Sequence, residues 1–119
     1  GAVTRAGFRA PFSSVGPTAD GRLKPDVAAM GVNVKVARHF EQAYGVASGT
    51  SFSCPLTAGV VALALQAHPE YTVDDVLTVM RSAASQADAP DTLLGWGIVN
   101  AVAAVDMPLP APVAAARRR

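Results

Sequence analysis

The sequence is poor in several things, and each scarcity excludes a class of protein. Cysteine occurs once, as Cys54, so no internal disulfide framework can form and no thiolate metal site can be built from cysteine alone. The redox compartment stays open. No apolar run approaches the roughly 20 residues that span a bilayer; the longest, Leu56 to Leu65 with Thr57 inside it, reads as a buried helix. Charge is scarce and balanced, with 10 Lys and Arg against 9 Asp and Glu for a net charge of +1. Three of the positive residues, Arg117 to Arg119, stand together at the very end. Such a surface draws neither nucleic acid nor membrane strongly, and neither is expected as a partner. The opening Gly1-Ala2-Val3 has no Met and none of the layout of a secretory signal. The chain is therefore expected to be cut from something longer.

What is present is apolar. With 50% hydrophobic residues in 119, one globular domain can bury a core. Pro11, Gly16-Pro17, Asp20-Gly21, Pro25 and Gly31 interrupt any helical period in the first third, which predicts short strands and loops. Val32, Val34 and Val36 alternate with Asn33 and Lys35, and a second extended piece runs from Tyr44 to Ser48, so the pair predicts a hairpin. From Ser51 the period changes: Leu56, Gly59, Val60, Leu63 and Ala64 recur at helical steps, with Ala58, Val61, Ala62 and Leu65 on the other faces. A helix apolar nearly all round belongs in the middle of a domain. Pro55 is expected in its first turn. Thr72 with Asp75 three residues on predicts the capped start of a second helix running to about Ala84. Gly95-Trp96-Gly97 marks a tight passage before a short closing helix, or strand and helix.

The stretch that carries chemistry is Gly49-Thr50-Ser51-Phe52-Ser53-Cys54-Pro55, where a strand-like piece passes into the apolar helix. A serine at a helix N-terminus presents its hydroxyl outward. Its N–H, unpaired within the helix, points to where a carbonyl oxygen would gain charge. Gly49 has no side chain to block an approaching backbone. The residues alone also allow Ser51 to be a helix cap and nothing more. His68 lies at the far end of the same helix, roughly 25 Å from Ser51 at the helical rise per residue, and cannot be its base. His39 reads as a solvent-exposed loop residue. Cys54, one turn after Ser51, reads as a small buried core residue rather than a reactive thiol.

The run Gly-Thr-Ser-x-Ser-x-Pro-x-x-Ala-Gly, from Gly49 to Gly59, resembles the nucleophile signature of the subtilisin-like serine proteases, the subtilases. Phe12-Ser13-Ser14-x-Gly16-Pro17, Lys24-Pro25-Asp26-Val27-x-Ala29 and Gly95-x-Gly97-x-Val99-Asn100-Ala101 look like further landmarks of that family, in its order. Two departures stand out. Ala29-Met30-Gly31 replaces the usual Ala-Pro-Gly, and Phe52 follows the serine where Met is common, which removes an oxidation-sensitive thioether. A Gly-x-Ser-x-Gly elbow of the α/β-hydrolase kind is absent around Ser51.

The resemblance implies an α/β, three-layer domain with a mainly parallel central sheet, of which residues 1–106 would be the C-terminal portion. Residues 107–119, rich in Pro and Ala, are expected to form a disordered tail or linker. It implies Ser51 as nucleophile, the Ser51 N–H as an oxyanion donor, Thr50 as a helper to that hole, and Gly49 lining the substrate cleft. The family's catalytic Asp and His, and its oxyanion Asn, precede the serine at long range. None of their motifs occurs here, so Asp20 reads as a turn residue and Asp26 as structural. The expected activity is that of a serine endopeptidase, with this chain alone inactive; the alternative is a non-catalytic remnant. Its expected partners are a polypeptide substrate and the upstream part of the same domain. No cofactor or metal is expected in this chain: calcium, a frequent stabiliser in the family, finds no acidic loop here and is left to the intact domain. An extracytoplasmic location is expected.

Overall fold

A computed structural model describes residues 1–40 and 42–108. Strand β1 (Ala2–Val3) and strand β2 (Ala29–Met30) pair in parallel, Ala2 opposite Ala29 and Val3 opposite Met30. Ala28 makes a further parallel bridge to Ile98, so three stretches distant in sequence run side by side in one direction. Small residues allow this close passage: Ala2, Ala28 and Ala29 are all buried. The predicted hairpin forms from strands β3 (Val34–Ala37) and β4 (Tyr44–Ala47), antiparallel with Val34 opposite Ala47 and Ala37 opposite Tyr44. Val34 and Val36 are half-buried while Lys35 and Ala37 face solvent, the alternation that a period of two imposes.

Helix α1 (Thr50–Ala67) follows β4 directly and begins one residue before Ser51. Pro55 therefore lies in the second turn, not in the first as expected. Its ring offers no N–H to the Ser51 carbonyl four residues back, which is left outside the intrahelical ladder. The expectation that α1 is buried nearly all round is also corrected. Ser53, Val60 and Ala64 are its buried residues, whereas Leu56, Leu63 and Leu65 are exposed. The cause is one-sided packing: β1, β2, α2 (Val73–Ser82) and α3 (Ala101–Asp106) contact α1, and its other side carries exposed leucines. By length and composition α1 could cross a membrane, with a mean hydropathy of 1.3 over 18 residues, of which 17% are buried.

Helix α2 starts as its sequence predicts. The Thr72 hydroxyl accepts the Asp75 N–H at 3.3 Å and the Asp75 carboxylate accepts the Thr72 N–H at 2.8 Å, closing a capping box. It ends at Ser82, slightly short of Ala84. Asn100 caps α3 by accepting the Ala103 N–H at 3.1 Å. Val60, Tyr71, Val79, Met80, Ala83 and Ala104 form the core that joins the three helices. His68 has a structural place here: its ring stacks on Tyr71 with centroids 4.5 Å apart, and Nε2 lies 2.9 Å from the Val105 carbonyl. The Tyr71 hydroxyl donates to the Met107 carbonyl at 2.9 Å. Of the expected tail, residues 109–119 lie outside the described residues.

Candidate active site

The site begins at the turn between β4 and α1. Gly49 caps the helix with φ 155° and ψ 156°, a backbone region that glycine enters far more readily than other residues, and it supplies no side-chain cap. Ser51 is accordingly not the cap: it is the second helical residue, exposed, with no hydrogen-bond partner for its hydroxyl among the described residues. The Gly49 carbonyl takes the Phe52 N–H at 3.1 Å. The Thr50 and Ser51 N–H groups precede any carbonyl the helix could offer them, and they stand at the positive end of an 18-residue helix.

The turn is held from below. The Gly49 N–H donates to the Gly31 carbonyl at 2.8 Å, and the Gly31 N–H to the Val3 carbonyl at 2.9 Å. The Ala29-Met30-Gly31 segment, despite its departure from the family's usual residues, thus links β1 to the start of α1. Gly31 is required by space, because a Cβ there would overlap the Ser53 hydroxyl and lie 2.9 Å from the Gly49 carbonyl.

The other landmark segments meet one another. The Trp96 N–H donates to the Asp26 carbonyl at 2.9 Å, the Ala28 N–H to the Gly97 carbonyl at 2.8 Å, and the Val99 N–H to the Ala28 carbonyl at 3.0 Å. The Asp26 carboxylate bridges Lys24 and Arg81, and the Arg81 guanidinium lies 4.4 Å from the centre of the Trp96 ring. Burial pushes the Asp26 carboxyl up, but hydrogen bonds and charge from Arg81 and Lys24 outweigh it and hold the group below its ordinary range. Ser13, in the first landmark, accepts the Ala2 N–H at 3.0 Å. Asp26 is thus structural, as read from sequence, and Asp20 sits in an exposed turn paired with Arg22. Sequence reasoning gave no role to Arg81 or to the Trp96 ring, since nothing local in α2 announces a partner 55 residues away.

An open cavity of about 1040 Å³ lies between α1, α2 and the Lys24 to Val27 segment. Thr50, Ser51, Cys54, Asp26, Met80 and Arg81 are among the residues that line it; Gly49 stands just before them. Cys54 is exposed, which corrects the expectation of a buried core residue. Its side of α1 faces the cavity instead of the core. His39 is exposed in the hairpin turn with its ring 3.8 Å from that of Phe40, and His68 caps the far end of α1. Neither is bonded to Ser51.

The chain is similar to known proteins over most of its length. The family model described as the subtilase family matches residues 1–97. The chain is 37% identical to the serine protease AprX of Bacillus subtilis, over 77% of this chain and 24% of AprX. It is 37% identical to the halolysin-like extracellular serine protease Nep of Natrialba magadii, over 79% of this chain and 16% of that protein. Among solved structures, MycP1 from Mycobacterium smegmatis superposes with a TM-score of 0.75 and 26% identity, covering 92% of this chain and 30% of MycP1. Fervidolysin from Fervidobacterium pennivorans, a keratinolytic enzyme related to subtilisin, gives 0.68 and 27% over 84% of this chain and 17% of its own. The chain thus spans a quarter or less of the curated relatives named here. Its architecture is part of the α/β fold of the subtilisin-like proteases, and the chain belongs to the subtilase family.

Proposed function

We propose that this chain is the nucleophile-bearing part of a serine endopeptidase, with Ser51 attacking the peptide carbonyl. One observation carries the reading: an exposed, unbonded serine hydroxyl in the first turn of α1, on the rim of the cavity and beside two free N–H groups. In the reaction the Ser51 oxygen bonds to the carbonyl carbon while its proton passes to a base. The carbonyl oxygen gains charge against the Ser51 N–H, with Thr50 beside it. The C–N bond then breaks, the amine leaves with the proton, and water hydrolyses the ester to release the acid. Gly49, with no side chain, leaves room for the substrate backbone.

The base and its carboxylate would be a His and an Asp upstream of these residues, in the same domain. That part of the domain would also cover the exposed leucines of α1, so the apolar helix serves as a core helix rather than a membrane span. The relatives' lengths support this division of labour, since AprX matches over 24% of its sequence. A polypeptide is the substrate class. The location is extracytoplasmic in this reading, which the extracellular relative Nep supports. No cofactor is assigned to this chain, and calcium would belong to the intact domain.

A fluorophosphonate probe on the intact protein tests the reading. Labelling at Ser51, abolished in Ser51→Ala together with a loss of peptidase activity of about 10³-fold or more, is the expected result. An intact, folded protein that takes no label would be a non-catalytic remnant. The 119-residue chain by itself is expected to stay unlabelled.

A further inference from the structure

Ser53 is a buried polar side chain, 4% exposed, that the acylation chemistry leaves unused. Its hydroxyl donates to the Ala29 carbonyl on β2 at 3.1 Å. Its own carbonyl accepts the Thr57 hydroxyl at 3.1 Å. The helix start around it is short of internal ties: Gly49 brings no side-chain cap, the first turn holds no acidic residue, and Pro55 has no N–H for the Ser51 carbonyl. Two bonds to the β2 segment hold this turn from outside. One is the Gly49 N–H to the Gly31 carbonyl at 2.8 Å, and the other is the Ser53 hydroxyl to Ala29. They bracket Ser51 along the chain, one on each side. Ala29 is itself fixed, paired with Ala2 and donating its N–H to the Gly1 carbonyl at 3.1 Å.

We propose that Ser53 is a positioning residue for Ser51: its bond to Ala29 tethers the first turn of α1 to β2 and sets the direction of the Ser51 hydroxyl and N–H. The inference rests on Ser51 being the nucleophile. A displacement of about 1 Å at a reacting group can cost about 10²-fold in rate. Loss of one of two tethers should cost less.

The test uses the intact protein and two rates that report Ser51 directly, the second-order rate of fluorophosphonate labelling and kcat on an oligopeptide amide. Ser53→Ala is expected to lower both by roughly tenfold, with KM held within about twofold. Ser53→Cys, close in size and a weaker donor, should fall between, at about threefold. Wild-type rates in both variants, with only a lower Tm, would overturn the proposal and leave Ser53 as a satisfied core hydroxyl. If Ser53→Ala does not fold, Ser53→Cys decides: slowing at constant KM supports the tether, and wild-type rates refute it. A wild-type protein that folds and takes no label refutes the nucleophile reading instead, so the two failures are distinguishable.

Discussion

Helices α1 and α2 are built on opposite plans. Helix α2 carries its own stabilisers: a capping box at Thr72 and Asp75, two acids in its first turn and Arg81 in its last, each suited to the helix dipole. Helix α1 has no side-chain cap at its start, no acid in its first turn, no basic residue in its last turn and a proline inside. Its position is decided by neighbours, not by its own ends. The difference matters for chemistry, because a capping side chain would occupy the N–H groups that an oxyanion needs. A bare glycine cap leaves them free, and the tethers to β2 replace the cap as the source of order.

The contrast can be broken most severely inside α1. Ala64 is fully buried, and Ala64→Leu should cost about 3 kcal/mol by overpacking, read as a shift in denaturant midpoint at constant slope. A helix held by tertiary fit has no local reserve to offset that loss.

The next effect is expected at the Asp26 bridge, which anchors the C-terminal turn of α2. Asp26→Asn leaves Arg81 without its carboxylate and should cost about 1 to 2 kcal/mol at neutral pH, a figure reduced for the pair's partial exposure. The sign with pH follows from the depressed carboxyl. Its stabilisation is fully present above the ordinary value of 3.8 and is lost as pH falls through the lower folded value. Acid titration of Tm should therefore show a decline below about pH 4 that Asp26→Asn flattens. Asp75, lowered by hydrogen bonds from Thr72, acts in the same direction.

The smallest effect sharpens the comparison. Thr72→Ala removes the cap of α2 and should cost about 1 kcal/mol of stability in thermal unfolding, while Ser51 labelling stays at the wild-type rate. Were labelling to fall as well, the two helix starts would be coupled, and the separation of roles drawn between them would fail.

Much of this was legible in the chain. The hairpin followed from alternating valines, the start of α2 from Thr72 and Asp75, and the strand-to-helix junction from the change of period at Ser51. These are local signals, each contained within a few residues. The errors have a common cause. The leucines of α1 read as buried because an apolar helix normally is, and Cys54 because free cysteine is among the most buried residue types, but burial depends on what packs against a face, and the described elements cover one stripe of this helix. Pro55 was misplaced by a shift of one residue in the helix start, which glycine at position 49 made possible. The Asp26, Arg81 and Trp96 cluster had no local signature at all.

By itself, then, the order of residues determined which segments become strands and helices and which serine stands at a helix start, because those choices are governed by side-chain period and capping chemistry over a few neighbours. Only the tertiary structure decided that Gly31 and Ala29 would lie under that start, that Ser53 would bond to the strand below, and that Asp26 would meet Arg81. Such contacts join residues far apart in sequence, and close packing in three dimensions alone selects them.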